Sequence, residues 1–292
     1  MTKQSTVRTS PTPWRRRSIR RAFAIAALVL AACGGVPDTT PQTPPIAEII
    51  TPPSTPPATL LAGLYKGTLD TASTEFLALV VPEVGKNVHV YGWYYNANDP
   101  HVAHLYEGQL ELGIEGSAAN VANSWRVTEG TRNYSATVNV SGSSLSKLIA
   151  SLSVSRSSVS SYTLTANALS HADYDFNSPP PDMRNLLWVG YWSSGADTTA
   201  GNLQFGTNGM PNSSGTNWSC LGGSAPLEWR WEPQSTNTFK VELLLGPNTY
   251  CTKWQNQHLT GLATVSKQTG GYQLDMMLLD GTGAGISYRG TR

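Results

Sequence analysis

The chain has 292 residues and 20 Lys+Arg against 19 Asp+Glu, but seven of the basic residues and none of the acidic ones fall in residues 1–32. Beyond that leader the count is 13 against 19, a net charge of about −6, with no basic patch to follow a phosphate backbone, so nucleic acid is not an expected partner. Charged residues make up only 13% while Ser, Thr, Asn and Gly abound, which suits an exported β protein better than a helical cytosolic enzyme.

Arg15, Arg16, Arg17, Arg20 and Arg21 precede an uncharged apolar run from Ala22 to Ala32. A positive block, a short apolar stretch and small residues are the parts of a secretory signal, and eleven residues rise only about 16 Å as a helix, too little to span a bilayer. Leu30-Ala31-Ala32-Cys33 resembles the lipobox of bacterial lipoproteins. The resemblance implies cleavage before Cys33, a lipidated cysteine as the mature N-terminus, and a body tethered to the membrane, with several acyl chains holding it stably. Gly34 after the cysteine, where Asp would favour inner-membrane retention, implies the outer membrane. Arg20-Arg21-Ala22-Phe23 is also a loose twin-arginine match, although the arginines are accounted for by the positive block alone.

Residues 33–59 follow as the lipidated cysteine and a Pro/Thr-rich tether with eight prolines, which favours extended polyproline II without a core. Residues 60–176 are expected to form a first β module and 183–292 a second, divided by a Pro-rich linker at 177–182. Both modules open on a Leu-Leu pair with a tyrosine further on, Leu60-Leu61 with Tyr65 and Leu186-Leu187 with Tyr191, an offset of 126 that raises the question of duplication.

Alternation dominates within each module. In the first, His89, Tyr91, Trp93 and Tyr95 fall on one face of a strand, with Val88 and Val90 on the other; Tyr162, Leu164 and Ala166 form a further row. In the second, Leu227, Trp229 and Trp231 face away from Glu228, Arg230 and Glu232, and Tyr272, Leu274, Met276 and Leu278 repeat the pattern. Short strands separated by Gly, Asn and Ser turns predict an all-β chain of two small antiparallel barrel or sandwich modules in tandem. Leu145 to Leu152 is the one stretch that tempts a helix assignment.

Leu61-Ala62-Gly63-Leu64-Tyr65-Lys66-Gly67-Thr68, Ala172-Asp173-Tyr174-Asp175, Ser235 to Val241, Cys251 and Thr260-Gly261-Leu262-Ala263 resemble the corresponding stretches of two-module, β-rich lipoproteins of proteobacteria. The resemblance implies architecture and transfers no catalytic residue. With Cys33 lipidated, Cys220 and Cys251 remain as an even pair, expected to form a disulfide in an oxidising compartment.

Candidate chemistry is sparse. No G-x-S-x-G elbow is present, and eleven of the 21 residues from Ser141 to Ser161 are serine, read as strand and turn positions. His101 and His104 are weak metal candidates, Asp99-Pro100 making their setting a loop with no evident third ligand. Glu107, Glu111, Glu115 and Glu129 could supply a carboxylate pair for sugar hydrolysis only if a cleft brought two together. Six of nine tryptophans lie in the second module; Trp188, Trp192, Trp218 and Trp254 are candidate binding aromatics, with core packing as the competing role and Trp218 and Trp254 placed beside the cysteines. No cofactor motif is present.

The sequence therefore reads as a lipid-anchored outer-membrane protein that binds a protein or glycan partner, for example as a periplasmic inhibitor or immunity protein. A lipocalin-like carrier of a small lipophilic ligand and an envelope hydrolase are the alternatives. Cys33→Ala is expected to abolish palmitate labelling and leave the arginine-rich leader attached, whereas globomycin on wild type should keep the leader attached without removing the label; an unaltered labelling pattern in the variant would refute the anchor.

Overall fold

The computed structural model describes residues 62–69, 74–83, 87–96, 99–112, 118–120, 126–129, 132–140, 147–154, 160–194, 197–212, 227–247, 254–282 and 284–292. The leader, Cys33 and the tether, with Trp218, Cys220 and Cys251, lie outside the described residues, and so does the expected disulfide. Sixteen strands account for nearly all the regular structure. They run β1 (Gly63–Leu69), β2 (Thr74–Pro82), β3 (Asn87–Asn96), β4 (Asp99–Leu112), β5 (Ala118–Asn120), β6 (Arg126–Glu129), β7 (Arg132–Val140), β8 (Lys147–Val154) and β9 (Ser160–Ala168) in a first sheet. A second sheet holds β10 (Leu187–Ser194), β11 (Asp197–Gln204), β12 (Leu227–Pro233), β13 (Phe239–Leu245), β14 (His258–Gln268), β15 (Gly271–Leu279) and β16 (Gly285–Thr291). The chain is all-β, in two curled antiparallel sheets, as the alternation predicts. The stretch that invites a helix, Leu145 to Leu152, holds β8 instead, its β-branched and serine residues pairing with β9.

In the first sheet the order is β3-β2-β1-β9-β8-β7-β6-β4, and β3 also pairs with β4, so the hydrogen bonding runs round a ring with β5 attached beside β4. Every pairing is antiparallel, and the ring is sealed where β1 meets β9, with Tyr65 opposite Ala168. Closure removes the exposed edges that an open sheet would present. The interior is filled by side chains, among them Tyr65, Leu69, Phe76, Tyr106, Leu148 and Leu164. The second sheet repeats the plan in the order β11-β10-β16-β15-β14-β13-β12, with the last strand again beside the first. Its interior holds Trp188, Trp192, Phe205, Trp229, Trp231, Trp254 and Tyr288.

The first and last strands of each sheet approach too closely for a side chain at one position. A Cβ on Gly67 would lie 1.9 Å from the Thr165 carbonyl oxygen, and one on Gly190 1.9 Å from that of Arg289. These glycines, and not the two tyrosines of the Leu-Leu-Tyr match, occupy corresponding places. Tyr65 is buried inside the first sheet, whereas Tyr191 stands on the outer face of the second.

The two sheets share an apolar seam. Leu64, Leu77, Leu79, Trp93, Tyr95 and Leu105 from the outer face of the first sheet pack with Met277 and Leu279 from the outer face of the second. The Trp93 indole N–H donates across the seam to the Met276 carbonyl at 3.1 Å. The face that carries Tyr91, Trp93 and Tyr95 thus points out of its own barrel, while Val88 and Val90 fill the inside. The segment after β9 is part of the same packing: Tyr174 and Phe176 are buried in the seam, and the Tyr174 hydroxyl donates to the Asn237 carbonyl at 3.0 Å. The Asn237 N–H in turn donates to the Phe176 carbonyl at 2.9 Å.

Trp93→Ala removes a fully buried indole and its hydrogen bond, and is expected to lower stability by about 3–5 kcal/mol in urea unfolding. A loss below about 1 kcal/mol would mean that the two sheets fold without sharing this contact.

Candidate functional site

One end of the seam carries charge. Asp275 projects from β15 into the seam and is fully buried. Arg289, on the neighbouring strand β16 and directly opposite it in register, donates from Nε to Asp275 Oδ1 at 2.8 Å and from Nη1 to Glu75 Oε1 of β2 at 2.5 Å. The Tyr95 hydroxyl donates to Asp275 Oδ1 at 3.2 Å, Gln273 Nε2 donates to Oδ2 at 2.6 Å, and the Arg289 guanidinium lies 3.6 Å from the centroid of the Tyr95 ring. Lys66 completes the group, 3.1 Å from Glu75 Oε2. Two cations thus balance two carboxylates, which is what allows Asp275 to be taken out of water.

The electrostatics follow from that arrangement. Burial works against the charge on Arg289, but Asp275, Tyr95 and Glu75 outweigh it and hold the guanidinium more firmly protonated than usual. Burial likewise pushes Glu75 up, and the nearby Arg289 and Lys66 charges and hydrogen bonds overcome it, leaving the carboxyl below its ordinary range. Tyr95 is raised well above the ordinary phenol value, first by burial, with Asp275 and Glu75 adding to it against Arg289.

Beside this lock the surface opens into a groove of about 170 Å³, lined by Tyr95, Val189, Tyr191, Ser287, Arg289 and Thr291. Strand β10 places Trp188, Gly190 and Trp192 inward and Leu187, Val189 and Tyr191 outward, 47%, 57% and 37% exposed. Outward positions of a half-buried strand are ordinarily polar. Large apolar side chains at three successive outward positions form a contiguous stripe, the kind of surface that marks an interaction site.

The structure puts the sequence candidates elsewhere. Trp188, Trp192 and Trp254 are buried in the interior of the second sheet, with the Trp192 ring 4.7 Å from that of Tyr288 and 6.3 Å from that of Trp229. His104 is half-buried and stacks on the Tyr94 ring at 5.5 Å. The backbone of His101 lies within β4, a strand and not the expected loop, and its side chain is outside the described residues. His89 lies between two carboxylates, its Nδ1 3.2 Å from Glu83 and its Nε2 3.7 Å from Glu107. Burial and then those two carboxylates push the neighbouring Tyr91 up to about 12. Among the described residues no group of three or more His, Cys, Asp or Glu is arranged to hold a metal ion.

Alternation alone did not point to Asp275, Arg289, Val189 or Tyr191. The available signal was that β15 and β10 carry apolar residues on both faces, Met277 and Leu279 in the one and Leu187 and Val189 in the other.

No family model matches this chain, and no curated protein does. Among solved structures, a protein of Bacteroides fragilis NCTC 9343, provisionally described as an outer membrane protein, is similar over 79% of this chain and 97% of that one, with 14% identity and a TM-score of 0.21. A likeness at that score carries no argument about fold or role.

Glu75→Gln is expected to cost about 1–2 kcal/mol at pH 7, since Arg289 and Lys66 lose a charged acceptor. Glu75 is depressed on folding, so its stabilisation is complete above the ordinary glutamate value of about 4.3 and is lost as pH falls through the lower folded value. The stability gap between wild type and E75Q in urea unfolding should therefore narrow between about pH 7 and about pH 2. A gap of equal size at both would remove Glu75 from the lock.

Proposed function

We propose that this chain is a lipid-anchored protein of the bacterial cell envelope, held at the outer membrane through Cys33, and that it works by binding a protein partner. The observation that carries the binding reading is the stripe of Leu187, Val189 and Tyr191 beside a groove whose wall includes a fixed guanidinium. Apolar side chains supply contact area, and aromatic and arginine side chains are the residues most enriched where binding energy concentrates. Rigid antiparallel sheets hold all of them in place, so little ordering entropy opposes association.

The lipobox resemblance and the polyproline tether support the location, since they describe a soluble body held within reach of a membrane. Residues 60–176, the expected first module, carry 6 basic against 10 acidic side chains, which suits a basic target such as a toxin or lytic enzyme to be neutralised in the periplasm. Both interiors are occupied by their own side chains among the described residues, so the reading assigns binding to the outer surface.

The full chain, purified in mild detergent and immobilised, is expected to retain a discrete protein from envelope extract or a product of a neighbouring gene. Val189→Asp with Tyr191→Asp should reduce that retention at least about tenfold, equivalent to about 1.4 kcal/mol, without altering circular dichroism. No retained protein, or equal retention by the double variant, would end this reading.

A further inference from the structure

We infer that the groove beside the β10 stripe takes the C-terminal residue of the partner, its free carboxylate seated between Ser287 and Arg289 and its apolar side chain laid over Tyr191 and Val189. The inference rests on the reading of this face as a binding surface and names the chemistry that the face selects.

The floor of the groove follows from strand alternation. Ile286 and Tyr288 turn into the second sheet, so Ser287, Arg289 and Thr291 stand on its outer face. In register, Tyr191 of β10 lies opposite Arg289 and Val189 opposite Thr291. A polar row along β16 therefore runs beside an apolar row along β10. Residues two apart on a strand are separated by about 6.6 Å, which leaves room for one carboxylate between the Ser287 hydroxyl and the guanidinium.

Ser287 is the observation that points to a ligand. It is only 2% exposed and lines the groove, and its hydroxyl makes no hydrogen bond among the described residues. A hydroxyl so nearly removed from water is ordinarily paired within the protein. Arg289 is the charged residue of the lining. It gives Nε to Asp275 and Nη1 to Glu75, and its Nη2 is covered, so the guanidinium contributes charge and Ser287 the open donor. Asp275 and Glu75 themselves line no part of the groove, and Lys66 shares the charge of Glu75. An incoming anion thus meets a hydroxyl and a fixed cation, and no carboxylate of the lining opposes it.

Size settles the source of the anion. The groove, about 170 Å³, has room for one residue and not for an extended segment. At the C-terminus of a chain a carboxylate and an apolar side chain belong to the same residue. An acidic side chain would leave Tyr191 and Val189 uncovered until a second residue entered. Capture of a terminal carboxylate is a recurring mode of peptide recognition, and a basic protein offers such an end as readily as an acidic one.

The test is calorimetry and NMR titration of the full chain in an uncharged detergent with three probes up to about 10 mM, a range that detects weak single-residue sites. They are N-acetyl-Gly-Leu with a free carboxylate, its C-terminal amide, and N-acetyl-Gly-Asp amide, whose only carboxylate is on the side chain. The free acid is expected to bind, and the other two at least about tenfold more weakly. Ser287→Ala should weaken the free acid about fivefold and leave the amide unchanged, and Val189→Asp should weaken all three. Asp173→Asn is the control, in a separate cleft of about 280 Å³ lined by Asp173, Asp175, Asn237 and Tyr272 among others. Equal binding of acid and amide, tighter binding of the side-chain acid, no binding of any probe, or equal weakening by Ser287→Ala and Asp173→Asn would overturn the inference. Binding of the free acid with no protein captured from the envelope would sink the protein-partner reading and leave the carboxylate site standing, so the two failures are distinct.

Discussion

Everything in the described body depends on strands that are buried on both faces. β15 turns Leu274, Met276 and Leu278 into its own sheet and Asp275, Met277 and Leu279 into the seam, and β3 does the same with Val88 and Val90 on one side and Trp93 and Tyr95 on the other. A strand with one wet face tolerates a polar residue there at no cost; a strand with none does not. Asp275 is therefore admissible only because Arg289 comes from the adjacent strand, Glu75 and Tyr95 from the opposite sheet, and their hydrogen bonds close around it. The seam is an apolar contact with one polar address, and such an address fixes how two otherwise slippery surfaces register. Because Arg289 also lines the groove beside the stripe, the same residue that locks the seam shapes the face assigned to the partner.

How much of this was legible in the amino-acid order varies with the range of the contact involved. Period-two patterning is local, so strands such as Leu227–Pro233 and Phe239–Leu245, and the all-β class, could be read directly. Which face of a strand looks inward is also local when the other face is charged, as with Glu228 and Arg230 opposite Trp229 and Trp231. It fails when both faces are apolar. For β3 the row with Trp93 and Tyr95 is buried against the other sheet, while Val88 and Val90 fill its own barrel. For β10 the same double apolarity has the opposite outcome, since Leu187 and Val189 remain in solvent. Nothing local separates these cases, because the difference lies in which surface happens to arrive from elsewhere in the chain.

The same limit explains the candidate site. Tryptophan density in the second module fits core packing as well as a surface for stacking, and Trp188, Trp192 and Trp254 lie inside. The Asp173–Asp175 pair, Asn237 and Tyr272 sit in three separate stretches and converge only because Tyr174 and Phe176 pin the connecting segment against β13 and β14. Residues 177–182 look like a flexible divider by composition. Their neighbours upstream, Tyr174 and Phe176, are buried in the seam and hydrogen-bonded to Asn237, which is why a cleft can form there at all.

The ring of the first sheet has a kinetic corollary. Its seal joins Tyr65 to Ala168, about a hundred residues apart, so the loop-closure entropy of nearly the whole sheet has to be met before that pairing returns anything. Until then β1 presents an unpaired edge of the kind that recruits stray strands. A molecule built this way matures late and all at once, and the interval before closure is when a holdase chaperone would matter to it.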